Sequence, residues 1–256
     1  MLFHLGETRS SLKTDHLLQT PDTFIRTPLA GSPNVDFIVH TAPRIGAGFT
    51  QMTVEFREGG RLGAASEGIE RFLYVLEGSL TAETEAGALA HALAAGDFLY
   101  LPPGCGYSVS GAAGSRAVLI EKRYQNLNSQ VNHEVKLEVI AGRESETNPE
   151  PLGGDPDLLV RRLMPDGLEW DFAVNTMTYA PGAALSQVEI HVMEHGLLML
   201  EGGGIYRLGD SWYPVMAGDF IWMAPYCPQW FGAIGKTPAK YLIYKDWYRH
   251  LLEAAR

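Results

Sequence analysis

Thiols, cationic stripes and long apolar runs are scarce in this sequence. Cys105 and Cys227 are its two cysteines in 256 residues. Two cysteines in a chain this long make no disulfide framework, and with no Cys-x-x-C pair they are read as reduced, structural thiols. Lysine and arginine number 20 against 30 acidic residues, a net charge of −10, and the cations are scattered. No basic patch therefore suggests nucleic acid or an anionic membrane as partner. No uncharged apolar run approaches the roughly 18 residues of a membrane span. The opening MLFHLGETRSSLK lacks the apolar centre of a secretory signal, so a cytoplasmic location is expected.

What is present points to strands. Hydrophobic residues make up 46% of the chain, with 28 glycines and 15 prolines. The apolar runs are short, rich in Val, Leu, Tyr and Phe, and separated by turn residues, which favours an all-β chain. The chain also repeats itself. FLYVLEGSLTAE and AGDFLYLPPGCGYSV in the first half answer LLMLEGGGIYRL and AGDFIWMAPYCPQWF in the second. Pro103 and Pro225 keep one distance from the glycine of AGDF, as do Cys105 and Cys227, so Tyr107 falls opposite Gln229. This pattern predicts two copies of one small antiparallel β domain, residues 1–140 and 141–256, each a closed or sandwiched barrel. The first 35 or so residues read as an irregular arm, GRESETNPEPLGGDPD as a linker, LEGGG as a hairpin turn, and YRHLLEAAR as a short final helix.

The segment EIHVMEHG carries Glu189, His191 and His195. Residues two apart on a strand share a face, so Glu189 and His191 point together. A turn through Val192, Met193 and Glu194 would let His195 face back toward them. Gln229, from the second strand pair, is a plausible fourth donor through its amide oxygen. One carboxylate, two imidazoles and an amide suit Mn(II), Fe(II) or Ni(II) better than structural zinc. Such an ion keeps a formal charge of about +1, which favours a small anionic chelating substrate.

These residues resemble the cupin superfamily. Gly182, Glu189-x-His191, His195 and Gly202 fit its first motif with one extra residue and the ligand order altered to Glu, His, His. Gln229 stands where the second motif has histidine. The first repeat reads EGIERF at the ligand positions and looks metal-free. The run HGLLMLEGGGIYRLGDSWYPVMAGDFIWMAPYCPQWFGAIGKTPAKYLIYKD resembles more narrowly the (S)-ureidoglycine aminohydrolases of the allantoin pathway. The resemblance implies a bicupin fold, two tandem double-stranded β-helix barrels, with manganese held by Glu189, His191, His195 and Gln229. It also implies that Tyr206, Tyr241 and Lys245 line the substrate pocket, with Lys245 pairing the substrate carboxylate or moving protons. A homo-oligomer is expected, because cupins commonly pair through their sheets.

The remaining expectations are structural. One of Trp222 and Met223 should line the pocket wall, while Trp212, Trp230 and Trp247 pack an outer core or an interface. Glu70 and Glu77 should face the rim or solvent, because a buried unpaired carboxylate is costly. His4, His16, His40, His91, His133 and His250 read as structural or surface residues. Two other readings stay open. An iron dioxygenase would consume oxygen, and a storage or effector-binding bicupin would hold no tight metal.

Overall fold

The computed structural model of the chain describes residues 7–84, 90–126, 137–167 and 169–246. The chain forms two compact units. One comprises Ile25–Thr147 with Gly167–Asp171; the other comprises Met1–Phe24, Asn148–Asp166 and Phe172–Arg256. Every strand pairing among the described residues is antiparallel. Among the described residues no helix is long and apolar enough to cross a membrane.

The first unit packs a seven-stranded sheet against a four-stranded one. The larger runs, edge to edge, Ile140–Arg143, Asp97–Leu101, Ile69–Glu77, Arg116–Arg123, Thr50–Phe56, Val35–Thr41 and Arg26–Pro28. The smaller runs Gly60–Leu62, Tyr107–Gly111, Ser79–Thr84 and Ala90–Ala94. The second unit repeats the plan. Its larger sheet runs Ser11–Leu12, His16–Gln19, Phe220–Met223, His195–Glu201, Ala239–Asp246, Phe172–Tyr179, Asp155–Arg162 and Glu150–Leu152. Its smaller sheet runs Ser211–Met216, Gly203–Leu208 and Gln229–Ala233. Alternate residues from both sheets meet in each core, as Leu197, Met199, Tyr241 and Ile243 do with Tyr206, Leu208 and Phe231. That is the two-sheet jelly roll expected from the repeats.

Four local expectations need correction. The LEGGG turn is not a hairpin. His195–Glu201 lies in the larger sheet and Gly203–Leu208 in the smaller, so the chain changes sheets at Gly202. Gly202 has φ 63°, and a Cβ there would meet Pro238 O at 2.4 Å, which is why glycine is needed. Gly78 makes the same crossing in the first unit, at φ 73°.

The arm is not irregular. His16–Gln19 pairs with Phe220–Met223, so the start of the chain belongs to the carboxy-terminal barrel and not to residues 1–140. Its inward alternation buries His16 and Leu18. The Arg9 guanidinium holds the buried Asp219 carboxylate at 2.6 and 2.8 Å.

The linker is also ordered. Ile140–Arg143 completes the first unit beside Asp97–Leu101, and Glu150–Leu152 turns through Gly153 and Gly154 to pair with Asp155–Arg162. Polar composition hid both pairings, and the partner of Ile140–Arg143 also lies far back along the chain. The predicted final helix, Trp247, His4, His133 and His250 lie outside the described residues.

Glu70 is the fourth correction: it is 1% exposed. It points to the face of its strand opposite the barrel core, where the sequence-remote segment Gly167–Asp171 covers it. Its Oε2 accepts from the Tyr100 hydroxyl at 2.8 Å, Trp170 packs edge-on against Tyr100, and Lys122 pairs with Asp171. Burial, reinforced by the neighbouring Asp171, pushes Glu70 up to about 10. The carboxyl is therefore neutral and escapes the cost expected of a buried charge. Glu77 is exposed as expected.

Candidate metal centre

The second barrel brings the candidate donors to one end of its core. His195 opens the strand His195–Glu201 and lies opposite Lys245 on one side and Met223 on the other. Glu189 and His191 come from the segment before it. Main-chain bonds fix that segment: Glu189 and Gln229 exchange N–H···O bonds of 2.8 and 3.0 Å, and Tyr226 N–H donates to His191 O at 2.8 Å. Glu189, His191, His195 and Gln229 all line one cavity of about 310 Å³, together with Tyr206, Tyr241 and Lys245.

Three of the four donors meet closely. His191 Nε2 lies 3.3 Å from His195 Nε2 and 2.8 Å from Gln229 Nε2. His195 Nδ1 faces the Tyr244 carbonyl at 3.2 Å, and a carbonyl only accepts, so Nδ1 carries the proton. The Nε2 lone pair therefore points at the centre, the usual orientation of a metal-ligating imidazole. Burial drives His195 down to about 3, so the ring stays neutral. The Gln229 amide turns its nitrogen to His191 and accepts the Tyr206 hydroxyl at 3.4 Å on its oxygen. A half-turn of the amide would bring that oxygen to the centre. The Glu189 carboxylate shares the cavity without joining the tight cluster. Burial holds its pKa up, and His191 and Lys245 pull it back down. Two converging imidazoles, an amide and a nearby carboxylate are a donor set that fits a hard-to-borderline divalent ion.

The rest of the cavity divides in two. Val160, Met177, Leu185 and Ile243 supply an apolar wall. Lys245 supplies a cation whose pKa burial lowers. Tyr241 and Tyr179 share a hydrogen bond of 2.8 Å between their hydroxyls. Neither Trp222 nor Met223 lines the cavity. Met223 packs in the core, and Trp222 donates to the buried Glu194 carboxylate at 3.1 Å. Met193 stands at the wall instead. Sequence reasoning also missed Asn175, which lines the cavity and, with its amide oxygen toward Lys245, lies 3.3 Å from Nζ. An asparagine, a poor strand former, within the strand-like run FAVNTMTY was the available signal.

Among the described residues the first barrel offers no equivalent set. Counting back from Gly78 and Gly202, Arg71 takes the place of His195. Tyr107 takes that of Gln229. Arg71 lies opposite Glu121 as His195 lies opposite Lys245. The Arg71 guanidinium bonds Glu121 at 2.6 Å and reaches Tyr107 Oη at 3.5 Å, so a fixed organic cation stands where the other barrel gathers its donors.

Fold and donor set together define a bicupin with a candidate metal centre in its second barrel. A cupin domain model matches residues 175–244, and an EutQ-like cupin domain model matches residues 46–124. The chain is 40% identical over 243 residues to a probable (S)-ureidoglycine aminohydrolase of Oryza sativa subsp. japonica, spanning 94% of this chain and 76% of that protein. It is 32% identical over 234 residues to the (S)-ureidoglycine aminohydrolase of Escherichia coli strain K12, spanning 90% and 87%. The crystal structure of protein Ylba from E. coli superposes with a TM-score of 0.82 at 30% identity, covering 98% of this chain and 99% of that one. The chain belongs to the (S)-ureidoglycine aminohydrolase family, a family of enzymes.

Proposed function

We propose that the chain converts (S)-ureidoglycine and water to (S)-ureidoglycolate and ammonia in allantoin degradation. The observation that carries this reading is the convergence of His191, His195 and Gln229 in the cavity that Glu189 and Lys245 share. Glu189, His191, His195 and Gln229 would hold one divalent ion, manganese by family resemblance. When bound, such an ion supplies a Lewis acid and a template for a substrate that bears its amine and carboxylate on one carbon.

The chain's own residues do the rest. Lys245 binds the substrate carboxylate, and Asn175 fixes the Lys245 ammonium in place. Tyr206 orients the Gln229 amide, and the Tyr241 hydroxyl, tied to Tyr179, faces the ureido group. The apolar wall restricts water to one side of the reacting carbon, which makes the outcome stereospecific. The C–N bond breaks with its electron pair leaving on nitrogen. A C–O bond to water forms, and the proton that water gives up goes to the departing amine. The reading takes the enzyme as a cytoplasmic homo-oligomer acting on a small anionic substrate.

The test supplies freshly generated (S)-ureidoglycine and follows ammonia together with the handedness of the product. This substrate, a geminal amine, is expected to lose ammonia unaided, so chirality decides. The expected result is an excess of the (S) product. Racemic product at the uncatalysed rate would refute the assignment.

A further inference from the structure

A second group of donors lies away from the cavity. Asp15, His16 and Cys227 each offer one ligand atom, and these atoms all lie within 4.8 Å of one another. None of the three lines the candidate metal centre. The fold forces the meeting. His16 lies opposite Met223, and Ala224 N–H donates to Asp15 O at 2.9 Å, so the arm is laid along the segment that leads to Cys227. His16 and Cys227 are buried, whereas the Asp15 side chain is 42% exposed and leaves the group open to solvent. Gly209, at φ 57°, leaves room beside the carboxylate, since a Cβ there would come within 2.8 Å of Asp15 Oδ2.

A proton count around His16 gives the group its meaning. The Tyr213 hydroxyl donates its one proton to Ser11 Oγ at 3.2 Å. Its oxygen lies 2.9 Å from His16 Nε2 and accepts there in the tautomer whose ring proton is on Nε2. Nδ1 is left facing Asp15 Oδ1 at 2.8 Å. In the reverse tautomer Nδ1–H donates to Asp15 and Nε2 accepts from Tyr213, whereas in the first a cation is needed between the lone pair and the carboxylate. An imidazolium could supply it, but burial of the ring disfavours the charged form. A metal ion meets the requirement without charging the ring, and the Nε2–H···Tyr213 bond is the outer partner that metal-bound histidines ordinarily have.

We propose that Asp15, His16 and Cys227 form a second divalent-metal site, selective for a borderline ion such as Zn(II), that clasps the amino-terminal arm to the barrel. Mixed oxygen, nitrogen and sulfur donors suit that ion, and three protein ligands leave one position for water. Coordination releases the Cys227 thiol proton to solvent. The divalent charge is then cancelled by one carboxylate and one thiolate, so the half-buried site carries no net charge.

The experiment titrates the full-length, metal-stripped protein with Co(II) alone and reads the near-ultraviolet sulfur-to-cobalt charge-transfer band. The band is expected in the unsubstituted protein, in Glu189→Ala and in Cys105→Ser, and it should be lost in Cys227→Ser and displaced by one equivalent of Zn(II). Asp15→Asn, at a partly exposed position that the fold tolerates, should weaken Co(II) binding at least about tenfold. No band in the unsubstituted protein, a band that persists in Cys227→Ser, or unchanged affinity in Asp15→Asn would overturn the site. The cluster would then be a clasp held by hydrogen bonds alone.

Discussion

His195 shows how much one side chain can decide. Its Nδ1 proton is committed to the Tyr244 carbonyl, so only Nε2 is free to coordinate. His195→Ala and Glu189→Ala should both keep the fold but lower metal content and kcat/KM by more than about a hundredfold, beyond the cost of an outer partner. Elemental analysis and circular dichroism on the same samples check this, and full activity in either variant would remove that residue from the ligand set. The site residues also set a pH range. Glu189 has a raised pKa and must be ionised to coordinate, so activity should fail on the acid side sooner than an ordinary glutamate would dictate. Lys245 has a lowered pKa and must be charged to hold a carboxylate, so the alkaline limb should begin below the usual lysine range. Lys245→Met should remove that alkaline limb and raise KM, which a pH profile of kcat/KM would reveal. A limb unchanged by the substitution would mean that another group titrates there.

Among the elements, the sheet crossings and the covered strand Ile69–Glu77 carry the most testable energetics. Gly202→Ala meets both positive φ and the Pro238 carbonyl, whereas Gly96→Ala, at φ 86°, meets nothing within 4 Å. Gly96→Ala should cost about 1 kcal/mol and Gly202→Ala clearly more, measured by urea unfolding. Glu70 gives an opposite sign to the usual carboxylate. It keeps its proton in the fold while the unfolded chain loses it in the normal carboxylate range. Its contribution is therefore complete in acid and drains away as pH rises toward about 10. Glu70→Gln, which mimics the protonated form, should raise the Tm at pH 8 and change little at pH 4. A lower Tm at pH 8 would show that the native group is ionised. The sequence made His191 and His195 legible because they lie four residues apart in a recognisable frame. It could not reveal Glu70's environment, since Tyr100 and Asp171 reach it from distant segments. It likewise hid the strand His16–Gln19, whose alternating burial covers too few residues to stand out without its partner.

Across the whole molecule, the repeat predicted both barrels. In the first barrel the Arg71–Glu121 pair stands where His195 and Lys245 face each other in the second. The expected boundary near residue 140 missed the arm, because a division by sequence order cannot see a strand that returns to a remote sheet. Removing residues 1–24 should strip Leu18 from the core and Arg9 from Asp219 while leaving the backbone edge of Phe220–Met223 unpaired. The truncated chain should aggregate and lose metal, as size-exclusion chromatography with elemental analysis would show. A monodisperse, metal-replete product would show that the arm is dispensable.

The arm also imposes an order on biosynthesis. Its strand His16–Gln19 leaves the ribosome long before the neighbour it needs, Phe220–Met223. Throughout elongation the opening segment must wait without its mate, and pairing so remote along the chain is entropically slow. Of the two paired strands, the one synthesised first is thus held back until the second is made, and the barrel is sealed only when they dock.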